Sequence, residues 1–107
     1  METKACVLHG AKDLRLEMVP VAEMQDDQVL VRIGAGGICG SDLHYYLYGG
    51  FGVVRIKEPF IPGHEGVGNI AAVGAGVTVV KEGDRVGVPW LHTACGRCKY
   101  CLSGWET

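Results

Sequence analysis

Cys39 and the adjacent pair His64-Glu65 carry the side chains best suited to chemistry in this chain. A thiolate, an imidazole and a carboxylate are three ligand types that zinc accepts. A three-ligand site also leaves a position open for water or substrate. Twenty-four residues separate Cys39 from His64, so no local loop supplies the set and only the fold can assemble it. Glycines flank both segments, in Gly36-Gly37-Ile38-Cys39-Gly40-Ser41-Asp42-Leu43-His44 and in Pro62-Gly63-His64-Glu65. They let the backbone turn tightly beside an ion or ligand. Ser41, Asp42 and His44 are types that orient a ligand or carry protons. The expectation is a catalytic metal centre. Its plain competitor is that each residue is structural, the cysteine a small buried hydrophobe and the histidine a hydrogen-bonded core residue.

A second cluster is local. Cys95-Gly96-Arg97-Cys98-Lys99-Tyr100-Cys101 places three thiols at three-residue spacing, and each Cys-x-x-Cys step wraps backbone around one ion. A structural zinc site takes four ligands, and three are present. A ferredoxin-type run would put its next cysteine at position 105, where Trp105 stands, which argues against an iron–sulfur cluster. The competing reading is three surface thiols or an incidental disulfide.

The elements that must position these groups follow from composition and period. At 107 residues the chain makes one domain at most. With 48% hydrophobic residues it is globular rather than disordered. Seventeen glycines, against an average near ~7%, point to short strands joined by tight turns. The net charge is −2 and the lysines and arginines are scattered, so no basic stripe addresses nucleic acid. Met1 to Lys12 holds no apolar signal core. The longest uncharged run, Gly66 to Val80, is shorter than a membrane span and is broken by Gly68, Asn69, Gly74 and Gly76. A soluble, cytoplasmic chain is expected. Its five cysteines then read as metal ligands or thiols rather than a disulfide framework.

Lys4 to Leu8 is strand-like. Asp13 to Val19 alternates, Leu14, Leu16 and Met18 on one face against Arg15 and Glu17 on the other. Gln28 to Ile33 alternates again, and Gly34 to Gly37 breaks or bulges that strand. Ser41 is a good N-cap for a short helix through about Tyr48, ended by Gly49-Gly50. Residues 51–60 read as a loop. Gly66 to Val73 and Arg85 to Val88 are strands, separated by the turns Gly74-Ala75-Gly76 and Lys81-Glu82-Gly83-Asp84. Five or six short strands with one brief helix predict a mainly β, antiparallel barrel or sandwich.

Taken together, Gly37-Ile38-Cys39-Gly40-Ser41-Asp42-Leu43-His44, Pro62-Gly63-His64-Glu65-Gly66, Val73-Gly74, Gly83-Asp84-Arg85-Val86 and the cysteine lobe with Leu102-Ser103-Gly104 resemble a known family, in its order. It is the zinc-dependent alcohol and polyol dehydrogenases of the medium-chain dehydrogenase/reductase superfamily, in their N-terminal GroES-like catalytic domain, a partly open β-barrel. Cys39 to Glu65, with Tyr45, Tyr46 and Tyr48, is similar to the polyol and idonate branch. Gly66 to Thr107, with Pro89-Trp90, is similar to the simple alcohol dehydrogenases.

The resemblance implies roles. Cys39 and His64 match catalytic zinc ligands. Glu65 matches a ligand of the polyol branch, which is an outer or alternate ligand in the alcohol branch. Asp42 matches a carboxylate that orients the ligand histidine. Ser41 matches the hydroxyl that takes the substrate's proton, and His44 a proton-relay histidine. Cys95, Cys98 and Cys101 match three of four structural zinc ligands. The implied activity is oxidation of a small alcohol or polyol to an aldehyde or ketone with NAD or NADP. Neither nucleic acid nor membrane is an expected partner, and the full-length family enzymes are expected to be homo-oligomers. No Gly-x-Gly-x-x-Gly joins a strand to a helix, so the family's nucleotide-binding domain is expected outside these residues. The fourth lobe cysteine is expected at position 109, and the 1–107 stretch then ends within the lobe of about 92–107. The other functional class is a stand-alone β-barrel that binds zinc or a protein partner without catalysis.

Overall fold

The structure, a computed structural model, describes residues 1–88 and 97–103. Strands β1 (Glu2–Gly10) and β2 (Asp13–Pro20) form an antiparallel hairpin. Its turn places Lys12 at φ 59, and the Lys12 N–H donates to the carbonyl of Tyr46. A three-stranded antiparallel sheet follows. Strand β3 (Val29–Gly36) pairs with β6 (Gly66–Val73), which pairs in turn with β7 (Arg85–Val88). Between β3 and β6 come helix α1 (Gly40–Tyr48) and the small hairpin β4 (Gly50–Phe51) and β5 (Val54–Arg55). A helical turn, α2 (Lys99–Leu102), lies in the cysteine lobe. None of the described helices is long and apolar enough to cross a membrane.

Two devices join these pieces near the predicted centre. An isolated bridge pairs Leu8 with Phe60, with N–H···O bonds of 2.8 and 3.2 Å in the two directions. It ties β1 to the segment that leads into Pro62-Gly63-His64. The second is the β3–β6 register. It ends on Gly36 opposite Gly66, and the Gly37 N–H extends it with a 2.6 Å bond to the Glu65 carbonyl. The start of the Cys39 loop is thereby set against Glu65.

Val7, Leu8 and Ile70 are the buried apolar residues among those described, with Leu8 1% exposed. The radius of gyration is 15.8 Å, against roughly 13 Å for a compact chain of about 100 residues. The barrel is therefore open, and its strands leave apolar faces to solvent.

The strands expected at 4–8, 13–19, 28–33, 66–73 and 85–88 are present, with the first three longer or shifted by a residue or more. Three expectations need correction. The helix N-cap is Cys39 rather than Ser41. Asp42 explains the shift: its carboxylate accepts the Cys39 N–H at 3.0 Å, so the helix begins two residues earlier than a hydroxyl cap would place it. Residues 51–60 are not a plain loop, because β4, β5 and the Leu8–Phe60 bridge fall there. The alternation in β2 is real, yet Leu14, Leu16 and Met18 are 47%, 66% and 57% exposed, because no other described element covers that face.

Candidate metal centre

Cys39 sits at the mouth of α1, where the first N–H groups of a helix lack intrahelical partners. A thiolate at such a place is stabilised by those N–H groups and by the helix dipole. The Ser41 backbone N–H, then the Ser41 hydroxyl, then the His64 ring hold the Cys39 thiol below its ordinary pKa, against a smaller opposing effect of burial. At the other end of α1, Gly49 takes the left-handed conformation (φ 71) and its N–H bonds the Tyr45 carbonyl at 3.0 Å. Short caps at both ends fix this nine-residue helix, and with it the direction in which Cys39 and Ser41 face.

The fold brings Cys39, His64 and Glu65 together. One donor atom from each lies within 4.8 Å of the others. Donors of a tetrahedral zinc ion stand roughly 3.4–3.7 Å apart, by the Zn–S and Zn–N lengths. The three groups thus need no more than about an ångström of closure to share an ion. Sulfur, imidazole and carboxylate suit zinc by type, and two of the three residues are half-buried.

A cavity of about 720 Å³ opens beside this cluster. Cys39, Ser41 and His64 line it together with the aromatic residues Tyr45, Phe51 and Phe60. Tyr45 and Phe60 meet edge to face at 5.6 Å. Arg55, Lys57 and Glu58 add charge at the wall, and the Arg55 guanidinium donates to the Tyr48 carbonyl. The space is large enough for a small organic ligand.

Asp42 serves the cysteine end of the centre through the Cys39 N–H. Ser41 lines the cavity together with Cys39. His44 lies one turn further along and outside the cavity wall, with its ring 4.8 Å from Phe51 and 5.7 Å from Tyr48. In the lobe, Cys98 caps α2, and its sulfur lies 3.5 Å from both the Cys101 sulfur and the Cys101 N–H. Two sulfurs at that spacing suit a shared ion. Cys95 lies outside the described residues.

Residues 25–107 match the family model of the alcohol dehydrogenase GroES-like domain. The chain belongs to the zinc-dependent alcohol dehydrogenase family. An alcohol dehydrogenase of Rhizobium meliloti (strain 1021) is 55% identical over 105 residues, covering 98% of this chain and 30% of that protein. Among solved structures, L-idonate 5-dehydrogenase from Escherichia coli superposes with TM-score 0.84 and 36% identity, covering 99% of this chain and 30% of that one. The cobalt- and zinc-bound thermostable alcohol dehydrogenase from Pyrobaculum aerophilum gives TM-score 0.79 and 30% identity, over 99% of this chain and 31% of that one. The chain thus spans about 30% of the length of the relatives it matches. Its mainly β architecture is the GroES-like domain of these dehydrogenases.

Several residues of the cavity wall have no site role assigned by the motifs. Tyr45 follows Ser41 by four residues, which puts both on one helix face, and that spacing was a usable signal. Phe51, Phe60, Lys57 and Glu58 carry no period, and only the fold gathers them round the cavity.

Proposed function

We propose that this chain forms the metal-binding, substrate-holding part of a dehydrogenase that oxidises an alcohol or polyol to an aldehyde or ketone. The observation that carries the reading is the convergence of Cys39, His64 and Glu65 within 4.8 Å, with Cys39 and His64 lining an aromatic-walled cavity. Cys39, His64 and Glu65 would hold zinc, and Cys95, Cys98 and Cys101 would contribute to a structural zinc site. Bound zinc supplies Lewis acidity, which makes an alcohol hydroxyl easier to deprotonate. NAD(P)⁺, held by a nucleotide-binding domain outside these residues, supplies the hydride acceptor.

The chain's own residues do the rest. Tyr45, Phe51 and Phe60 exclude water and orient the carbon skeleton. The Ser41 hydroxyl, in the cavity lining, receives the substrate's proton. His44, one helical turn beyond, passes it outward. Asp42 keeps Cys39 in place through its N–H. Lys57 and Glu58 offer a donor and an acceptor at the cavity wall, which suits a substrate bearing more than one hydroxyl.

The test joins this chain to the remaining part of the Rhizobium meliloti relative and follows NAD(P)⁺ reduction with simple alcohols and with sugar alcohols. Turnover that is lost in Cys39→Ser and falls at least tenfold in Ser41→Ala is expected. Turnover that survives Cys39→Ser would overturn the reading.

A further inference from the structure

Three glycines surround Cys39, and the structure separates their roles. A Cβ built on Gly40 meets nothing within 4 Å, and one on Gly36 comes no nearer than 3.7 Å to the Glu65 carbonyl, an ordinary contact. One on Gly37 collides with the Glu65 carboxylate oxygen Oε2 and stands 3.1 Å from the Glu65 Cβ and 3.3 Å from its Cδ. The Gly37 backbone has no left-handed φ, so conformational freedom is not what the position demands. The demand is for space. The two backbones cannot move apart to relieve it, because the Gly37 N–H is bonded to the Glu65 carbonyl at 2.6 Å and the strand pair closes beside them at Gly36–Gly66. The Glu65 residue is exposed, so its carboxylate, the far end of the side chain, is the part that yields by rotation, while the Glu65 Cβ needs to give by only a few tenths of an ångström.

We propose that Gly37 is a positioning residue for the metal centre: its missing side chain is the slot in which the Glu65 carboxylate lies, turned toward Cys39 and His64. The proposal rests on the reading of Cys39, His64 and Glu65 as ligands of one ion. A methyl group in the slot pushes the carboxylate outward and leaves a two-ligand site, while Cys39 and His64 keep their places. The effect is therefore on the contribution of Glu65 and on little else.

Cobalt(II), whose thiolate absorption reports coordination by cysteine, is titrated against a chelator in the full chain. Cys6, Cys95, Cys98 and Cys101 are replaced by serine throughout, so that the absorption comes from Cys39 and neither from the exposed Cys6 nor from the lobe. Four proteins are compared: this background, Gly37→Ala, Glu65→Ala, and both together. Loss of a supporting contact commonly costs about 10–100-fold in metal affinity. Gly37→Ala is expected to weaken binding within that range and to about the same degree as Glu65→Ala, with the double variant no weaker than Glu65→Ala by more than about threefold. General damage to the fold would persist in the double variant, so losses that multiply there would overturn the proposal. Unchanged affinity in Gly37→Ala would overturn it as well. Failure of the background protein itself to show cobalt–thiolate absorption would instead remove the underlying metal reading, and the slot's function with it.

Discussion

Asp42→Ala tests how far the metal centre depends on the start of α1. The Asp42 carboxylate accepts the Cys39 N–H at 3.0 Å and places the helix's acidic charge in its first turn. Loss of a capping side chain costs typically ~1 kcal/mol, and loss of a negative charge at a helix N-terminus a further ~0.3–1. The sum is about 1–2 kcal/mol, a factor of roughly 5–30. Cys39 is both the cap and the proposed ligand, so disorder at the cap is disorder at the sulfur. Zinc affinity should therefore fall roughly 5–30-fold, at the low end of what outer partners of metal ligands usually contribute. Asp42→Asn keeps an oxygen acceptor and loses the charge alone, and about 2–5-fold is expected. Urea unfolding followed by circular dichroism measures the cap, and zinc competition with a chelator measures the site. Unaltered zinc affinity in a folded Asp42→Ala protein would refute the coupling. So would an Asn variant as impaired as the Ala variant.

Leu8→Ala should destabilise by about 2–3 kcal/mol, the lower part of the range for buried leucine, because Leu8 also borders a 340 Å³ apolar cavity and so has fewer atoms packed against it. A shift of the urea midpoint corresponding to less than ~0.5 kcal/mol, the scale of ordinary surface substitutions, would show that the bridge to Phe60 does not anchor the fold. The Asp13 carboxyl is held below its ordinary pKa by the Arg15 guanidinium, and that of Asp84 by the Lys81 ammonium. In each case the folded state binds fewer protons than the unfolded chain, so the contribution is fully present above the ordinary carboxylate range and is lost as pH falls through the depressed pKa. Urea midpoints should fall on acidification below that range, less steeply in Asp84→Asn; an identical pH dependence in that variant would count against the Lys81 pairing.

The sequence was informative where one period or one local rule decides structure. The strand at Gly66–Val73 and that at Arg85–Val88 begin and end where their glycine and charged turns place them. The helix start was legible only to within two residues, because cysteine is not a usual cap and the capping carboxylate acts from Asp42. The two-residue strands at Gly50–Phe51 and Val54–Arg55 are too short to show alternation. Alternation at Leu14, Leu16 and Met18 identified an apolar face and could not say what, if anything, covers it. The metal site was legible as residue types and not as a place. Its assembly depends on the register that ends at Gly36–Gly66 and on the Gly37–Glu65 bond, neither of which leaves a mark in local spacing.

Anomalous diffraction at the zinc edge, from crystals of the chain grown with zinc, addresses the shared ligation of one ion by Cys39, His64 and Glu65 most directly. A peak should stand ~2.3 Å from the Cys39 sulfur, ~2.0–2.1 Å from a His64 ring nitrogen and ~2.0–2.2 Å from a Glu65 oxygen, and it should vanish in Cys39→Ser. Zinc found in the Cys98–Cys101 lobe alone, with none between Cys39 and His64 at saturating metal, would contradict the assignment.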